Sequence, residues 1–173
     1  MKLETLQSLK DRRSIRVYKD EQIKEEELQA VLEAGMYAPT SKGCQSPKMV
    51  VVQDPTMIKK LSEMNREIMG VEFDPFYGAP TVVIVFAQAE ESPYIEDASL
   101  VMGNLMLGAY AVGLGSCWIH RARQMFKSEE GKELMKQWGI PEGYVGVANC
   151  ILGYAACEHP EAKERKADYV VRA

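Results

Sequence analysis

Three arginines and a serine fall within five residues at Arg12-Arg13-Ser14-Ile15-Arg16, just ahead of Val17-Tyr18. Guanidinium forks pair bidentately with phosphate oxygens, so this run has the make-up of a phosphate site. On composition alone, a solvated basic face closing a helix C-terminus accounts for it at least as well. A second basic group, Lys163, Arg165 and Lys166, lies in the charged tail. The remaining reactive residues are dispersed. Cys44, Cys117, Cys150 and Cys157 form no CxxC pair, which argues against zinc and iron–sulfur frameworks. Nothing beside Cys44 or Cys117 in the sequence would stabilise a thiolate, and both read as small buried filler. His120 sits next to Arg121 and close to Arg123, where an imidazole reads as an exposed polar residue or an anion contact rather than an acid–base group. No dinucleotide fingerprint, Walker loop or nucleophile elbow is present.

The elements that must position these residues are legible in order. Leu3, Leu6 and Leu9 predict a short amphipathic helix ending near Lys10. Gln22 to Met36 reads as a helix opened by three glutamates, with Leu28, Val31 and Leu32 as its buried stripe. The polar, Pro- and Gly-containing run Tyr37 to Pro47 is a loop leading into a buried strand at Met49 to Val52. Asp54-Pro55 is an N-cap followed by Pro at the first helical position, and the helix runs to about Ile68. Thr81 to Ala87 has no polar alternation and reads as a strand buried on both faces. Ser92-Pro93 opens a helix through Val112 that is apolar all round, the element the rest must pack against. Glu96 and Asp97 in its first turn suit the positive end of the helix dipole. Its length is that of a buried helix, and Gly103, Asn104, Gly108 and Gly113 weaken a membrane reading, for which about 20 apolar residues are needed. Ser116 to Ile119 and Tyr144 to Tyr154 are further strands, Ser128 to Trp138 a helix, and Tyr169 to Val171 a terminal strand in need of a partner. The chain of 173 residues fits one domain spanning residues 1–173, a helix-flanked sheet of α+β or α/β type. A net charge of -4 gives no overall basic field for nucleic acid or an anionic membrane. The N-terminus has no apolar signal region, so a reducing cytoplasm is the expected location.

Five stretches taken together, RRSIRVY at 12–18, APTSKGCQSP at 38–47, DPFYGAP at 74–80, GLGSCWI at 113–119 and the KERKADYV tail, resemble the FMN-dependent nitroreductase family in its short form. The resemblance runs from Leu6 to the end of the chain. It implies an α+β sandwich with a central sheet, in an intimate homodimer that exchanges C-terminal tails and binds FMN at the subunit interface. In that setting the phosphate reading of Arg12 and Arg13 takes precedence, with Ser14 in the same motif. Arg16 is placed by the resemblance near the flavin N1 and O2 edge, and Lys163 and Arg165 at the phosphate, with Lys166 as a substitute. Gln45 and Gly43 stand in the loop that meets the flavin from the other subunit. Gly43 occupies a position where relatives often carry Asn, and Ser46-Pro47 replaces Pro-Trp. Asn65 matches a family Asn that reaches the pyrimidine edge; the alternative is an exposed helix residue. Trp118, Ile119, His120 and Arg121 correspond to the segment lying along the flavin, whose backbone N–H meets N5.

The implied activity is hydride transfer from NADH or NADPH through flavin N5 to an electron-poor acceptor (nitroaromatic, quinone, enone or free flavin), in two half-reactions. No side chain is assigned a catalytic role. A specialised dehalogenase or flavin-fragmenting relative, and a flavin-binding redox carrier or sensor fed by a protein donor, are the alternatives.

Overall fold

The structure is a computed structural model and describes residues 3–90 and 93–173. In chain order the elements are α1 (Leu3–Asp11), α2 (Glu25–Met36), β1 (Lys48–Val52), α3 (Pro55–Met69), β2 (Thr81–Gln88), α4 (Tyr94–Ala111), β3 (Gly115–Ile119), α5 (Ala122–Met125), α6 (Glu129–Gln137) and β4 (Tyr144–Gly153). A single 3-10 turn, Ser41–Gly43, interrupts the loop between α2 and β1. The strands form one sheet in the order β1-β2-β4-β3, every neighbouring pair antiparallel. The expected α+β class is what the chain adopts.

The absence of alternation in β2 has a direct cause. Val82, Ile84 and Phe86 enter the core under α3, α5 and α6, while Val83, Val85 and Ala87 enter the core under α2 and α4. A strand covered by helices on both faces has no wet side for polar residues. The caps follow the sequence signals: Asp54 accepts the Met57 N–H (2.8 Å), and Gly70 closes α3 at φ 69°, where a side chain would be strained. Ser128 caps α6 through the Gly131 N–H (3.0 Å). Gly131 also permits a close backbone crossing, since a Cβ there would stand 2.1 Å from the Met125 carbonyl oxygen. Backbone cannot yield as a flexible side chain does, so Gly131→Ala should destabilise by about 3 kcal/mol. Thermal unfolding followed by circular dichroism should show a fall of roughly 6–12 °C.

Four expectations need correction. β1 is an edge strand, with only Val52 buried and Val51 exposed, because no strand covers its outer side among the described residues. α2 starts at Glu25, not Gln22, whose side chain instead accepts from Thr81 (2.7 Å) and donates to the Pro80 carbonyl (3.0 Å). Tyr169, Val170 and Val171 are not a strand here and stand exposed, since nothing in the chain itself pairs with them. The fourth concerns α4, which in the single chain is buried on one side only. Asp97, Ala98, Val101, Met102, Leu105 and Ala109 face inward, whereas Leu100 is 47% exposed and a Cβ at Gly103 would meet nothing within 4 Å. On the inner side, Gly108 lets α2 approach until an added Cβ would lie 2.7 Å from that of Ala34. Among the described residues no helix is long and apolar enough to cross a membrane. The Ser92 cap lies outside the described residues.

Residues 14–19 run past the end of β3 and the chain leaving β4: the Ile15 N–H donates to Ser116 O (3.0 Å), Lys19 N–H to Tyr154 O (2.9 Å) and Ala156 N–H to Val17 O (2.9 Å). The contact is tight, because a Cβ at Gly115 would strike the Ile15 side chain at 2.9 Å. The basic cluster and the basic tail therefore leave the sheet together.

Candidate functional site

α1 ends at Asp11, and the arginine cluster follows as extended chain held by those strand-like contacts. The His159 ring N–H donates to the Asp11 carbonyl (2.7 Å), which folds the tail back over the helix end. The result is an open cleft of about 280 Å³ lined by Arg13, Ser14, Arg16, Pro160, Glu161, Lys163 and Arg165. Four cations face one carboxylate there. Arg12 does not line this cleft; it lies in a neighbouring cavity of about 110 Å³ with Ile15, Tyr110, Gly115, Ser116 and His159, and Arg13 borders both. Lys166 does not line the cleft either.

The two sequence readings of the cluster coexist in Arg13. Its Nη1 donates to the carbonyls of Lys10 (2.6 Å) and Arg12 (2.8 Å), closing α1 as a basic residue at a helix C-terminus does. Its Nε, and Nη1 of Arg12, are buried and unpartnered. A buried donor without an acceptor costs about 1–3 kcal/mol, so an anion reaching either nitrogen would satisfy a donor that the chain itself leaves unpaired. A phosphomonoester dianion fits this donor set in charge and in hydrogen-bonding capacity.

The loop at 38–47 forms a second region. Lys42, Gly43 and Gln45 all have positive φ (53°, 66° and 51°), an unfavourable run for the two non-glycine residues. Asp97, at the start of α4 and 4% exposed, holds it: its carboxylate accepts the Ser41 N–H at 2.9 and 3.1 Å, and the Cys44 thiol lies 3.8 Å away. In sequence Asp97 reads only as a helix-dipole acid; the signal for its second role is an aspartate inside an otherwise apolar helix. Gln45 is exposed and borders a groove of about 220 Å³ with Ala38, Thr40, Pro47, Met49 and Val101. Charge-assisted hydrogen bonds contribute about 1.5–3 kcal/mol each, so Asp97→Ala should raise amide exchange at Ser41 by at least about tenfold. Exchange mass spectrometry over residues 38–47 reads this directly.

The third region is the end of β3. Trp118 is half-buried against the α4 side, Ile119 is buried on the other side, and His120 is exposed. Arg121 turns at φ 78°, and His120, Arg121, Arg123, Gln124 and Val147 border a small cleft. Asn65 is not the exposed helix residue of the alternative reading: it is fully buried, and its Nδ2 donates to the His120 carbonyl (2.7 Å). The four cysteines are free, and Cys44 is exposed rather than buried filler, because it stands on the strained loop and not beneath it. Burial pushes the Cys150 thiol far up from its ordinary range, with Cys117 nearby adding to the effect, and keeps it neutral. The Tyr18 hydroxyl is likewise raised by burial and donates to the Ile15 carbonyl (2.7 Å), a structural contact beneath the cluster. Among the described residues no group of three or more potential ligands could hold a metal ion.

The sequence profile of the nitroreductase family matches residues 9–72 and 67–154. The chain belongs to the nitroreductase family. A Bacillus subtilis member named FMN reductase [NAD(P)H] is 43% identical over an alignment covering 88% of this chain and 66% of that one. An Archaeoglobus fulgidus member with the provisional name NADH dehydrogenase/NAD(P)H nitroreductase is 35% identical, covering 87% of this chain and 85% of that one. The crystal structure of a nitroreductase with bound FMN from Bacteroides fragilis superposes with a TM-score of 0.88 at 28% identity, covering 98% of each chain. Within this nitroreductase-family chain the cleft, the loop at 38–47 and the end of β3 border separate cavities rather than one site.

Proposed function

We propose that this nitroreductase-family chain is an FMN-dependent oxidoreductase that uses NADH or NADPH to reduce an electron-poor acceptor: a nitroaromatic, quinone, enone or flavin. The observation that carries the reading is the cleft where Arg13, Ser14, Arg16, Lys163 and Arg165 converge. FMN, held by these residues, would supply the redox chemistry, with its N5 as the hydride-accepting and hydride-donating atom between the nicotinamide and the acceptor. The protein's contribution is to bind, orient and tune.

Arg13, Lys163, Arg165 and the Ser14 hydroxyl hold the phosphate, with Arg12 alongside from the adjoining cavity. Arg16, exposed at the rim, is assigned to the pyrimidine edge, where a cation favours the reduced anionic ring and raises its potential. Trp118, Ile119, His120 and Arg121 line the ring with backbone, whose N–H groups stabilise developing negative charge without needing a particular side chain. Gly43 and Gln45 contact the ring as well, whereas Asn65, expected at the pyrimidine edge, is fully buried with its amide on the His120 carbonyl and supports that segment from behind. Because the loop and the cleft are apart in one protomer, the complete site needs two. The half-exposed face of α4 around Leu100 and Gly103 is the surface across which they pair, and the exposed Tyr169, Val170 and Val171 are placed on the partner.

The test is the visible spectrum of the purified protein before and after anaerobic addition of NADH and then NADPH. A flavin spectrum bleached by either supports the assignment and names the donor. A flavin spectrum that persists with both would replace the nicotinamide by a protein donor. A colourless protein that takes up no added FMN would overturn the assignment.

A further inference from the structure

Asn149 is a side-chain amide in the middle of β4, a strand otherwise apolar from Val145 to Leu152 apart from Gly146. It is closed off from water, at 0% accessibility, on the sheet face shared by Ile84, Ile151 and Met125. A leucine would fill such a position without an amide to satisfy. The amide costs stability, since its Oδ1 has no donor. Its Nδ2 points at the end of β3, 3.3 Å from the Ile119 carbonyl oxygen and 3.5 Å from that of His120. From the other side Asn65 Nδ2 reaches the same His120 carbonyl at 2.7 Å, and its Oδ1 is also unpartnered. Two buried amides, from α3 and β4, thus grip successive carbonyls where the chain enters the left-handed residue Arg121. Flipping either amide would set oxygen against oxygen, so the donors' direction is fixed.

We propose that Asn149, together with Asn65, is a positioning residue that holds the His120 carbonyl inward and thereby aims the Arg121 N–H outward. The step is geometric. In a trans peptide the C=O and the N–H of one unit point in opposite directions, so fixing one fixes the other. The Arg121 N–H has no acceptor among the described residues. Left-handed φ at an arginine costs about 1–3 kcal/mol and persists only where surrounding contacts impose it, which is what the two amides do. The inference rests on the functional reading above for its consequence: the outward N–H belongs to the segment assigned to the flavin. Asn149 contacts no substrate and acts through the backbone of residues 119–121.

Asn149→Leu keeps the number and branching of side-chain heavy atoms and removes the donor. In flavin-free protein, amide exchange over residues 119–122 should rise by about tenfold or more, while exchange in β2 and the rest of β4 stays within about threefold. In flavin-loaded protein, the midpoint potential should fall and the rate of reduction by nicotinamide should drop about tenfold, with KM for nicotinamide and FMN affinity changed less than about threefold. Arg121→Gly supplies the control, because glycine adopts positive φ without strain. Asn149→Leu should cost about tenfold in the wild-type background and under about threefold in the Arg121→Gly background, a rescue that a packing role for Asn149 would not give. Unchanged exchange over 119–122 would overturn the proposal, as would a loss of equal size in both backgrounds. If the wild-type protein takes up no FMN, the functional reading fails, and the flavin-free exchange comparison alone decides the role of Asn149.

Discussion

Lys163→Ala combined with Arg165→Ala is expected to lower FMN affinity by about 10²–10⁴-fold, two charge-assisted contacts at about 1.5–3 kcal/mol each. Both side chains are exposed and form no ion pair among the described residues, so the flavin-free variant should keep the wild-type unfolding temperature. Fold and cofactor are thereby separated. Titration of flavin fluorescence would read the affinity, and raising the salt concentration should narrow the difference between variant and wild type as screening grows. Arg13→Ala is a less clean companion, since it also removes the two bonds that close α1. Arg12→Ala should cost less than Arg13→Ala, because its guanidinium lies in the neighbouring cavity. A loss below about threefold in the tail variant would place the phosphate elsewhere on the molecule.

Charging the open face of α4 should have an effect of similar size on a different observable. Leu100→Glu together with Gly103→Glu puts two carboxylates on the surface proposed to meet its own copy. In a two-fold interface each change appears twice, so all of these charges would have to be buried against one another. Complete conversion to monomer is expected by analytical ultracentrifugation. Leu100 is already 47% exposed and a Cβ at Gly103 meets no neighbour, so the monomer itself should stay folded. Loss of bound flavin should accompany loss of the dimer, because the loop at 38–47 and the basic cleft then remain on separate molecules. A variant that stays dimeric would move the interface off α4.

Much of the fold is legible in the sequence because its signals are local. Asp54-Pro55, Ser128 and the runs Thr81 to Ala87 and Tyr144 to Tyr154 each carry their own start, stop or period, and the structure places those elements within a residue or so. What fails depends on neighbours. Met49 to Val52 looks as apolar as a central strand, and nothing within it tells that it lies at a sheet edge. Gln22 looks like a helix start until Thr81 and Pro80, almost sixty residues on, claim its side chain. The site divides in the same way. Arg13, Ser14, Arg16, Lys163 and Arg165 stand out in the sequence, yet that they face one cleft follows from the long-range pairing of residues 14–19 with Ser116 and the chain at 154–156. Asp97 and Asn149 announce themselves only as polar residues in apolar surroundings, and what each holds is invisible until the chain is folded. The segment at Tyr169 is the reverse case: its apolar run reads as a strand, but the chain itself offers nothing for it to pair with, and the partner proposed for it is another molecule.

The pairing beside β3 also has a bearing on biogenesis. Arg13 and Arg16 leave the ribosome early, whereas Lys163 and Arg165 follow β4, the strand that completes the sheet on which residues 14–19 are hung. A nascent chain can thus form its first helices and hairpins while still lacking half of the basic cleft. With the phosphate held as proposed, cofactor loading would be a late event in synthesis, and translation products truncated before Lys163 are expected not to sequester flavin.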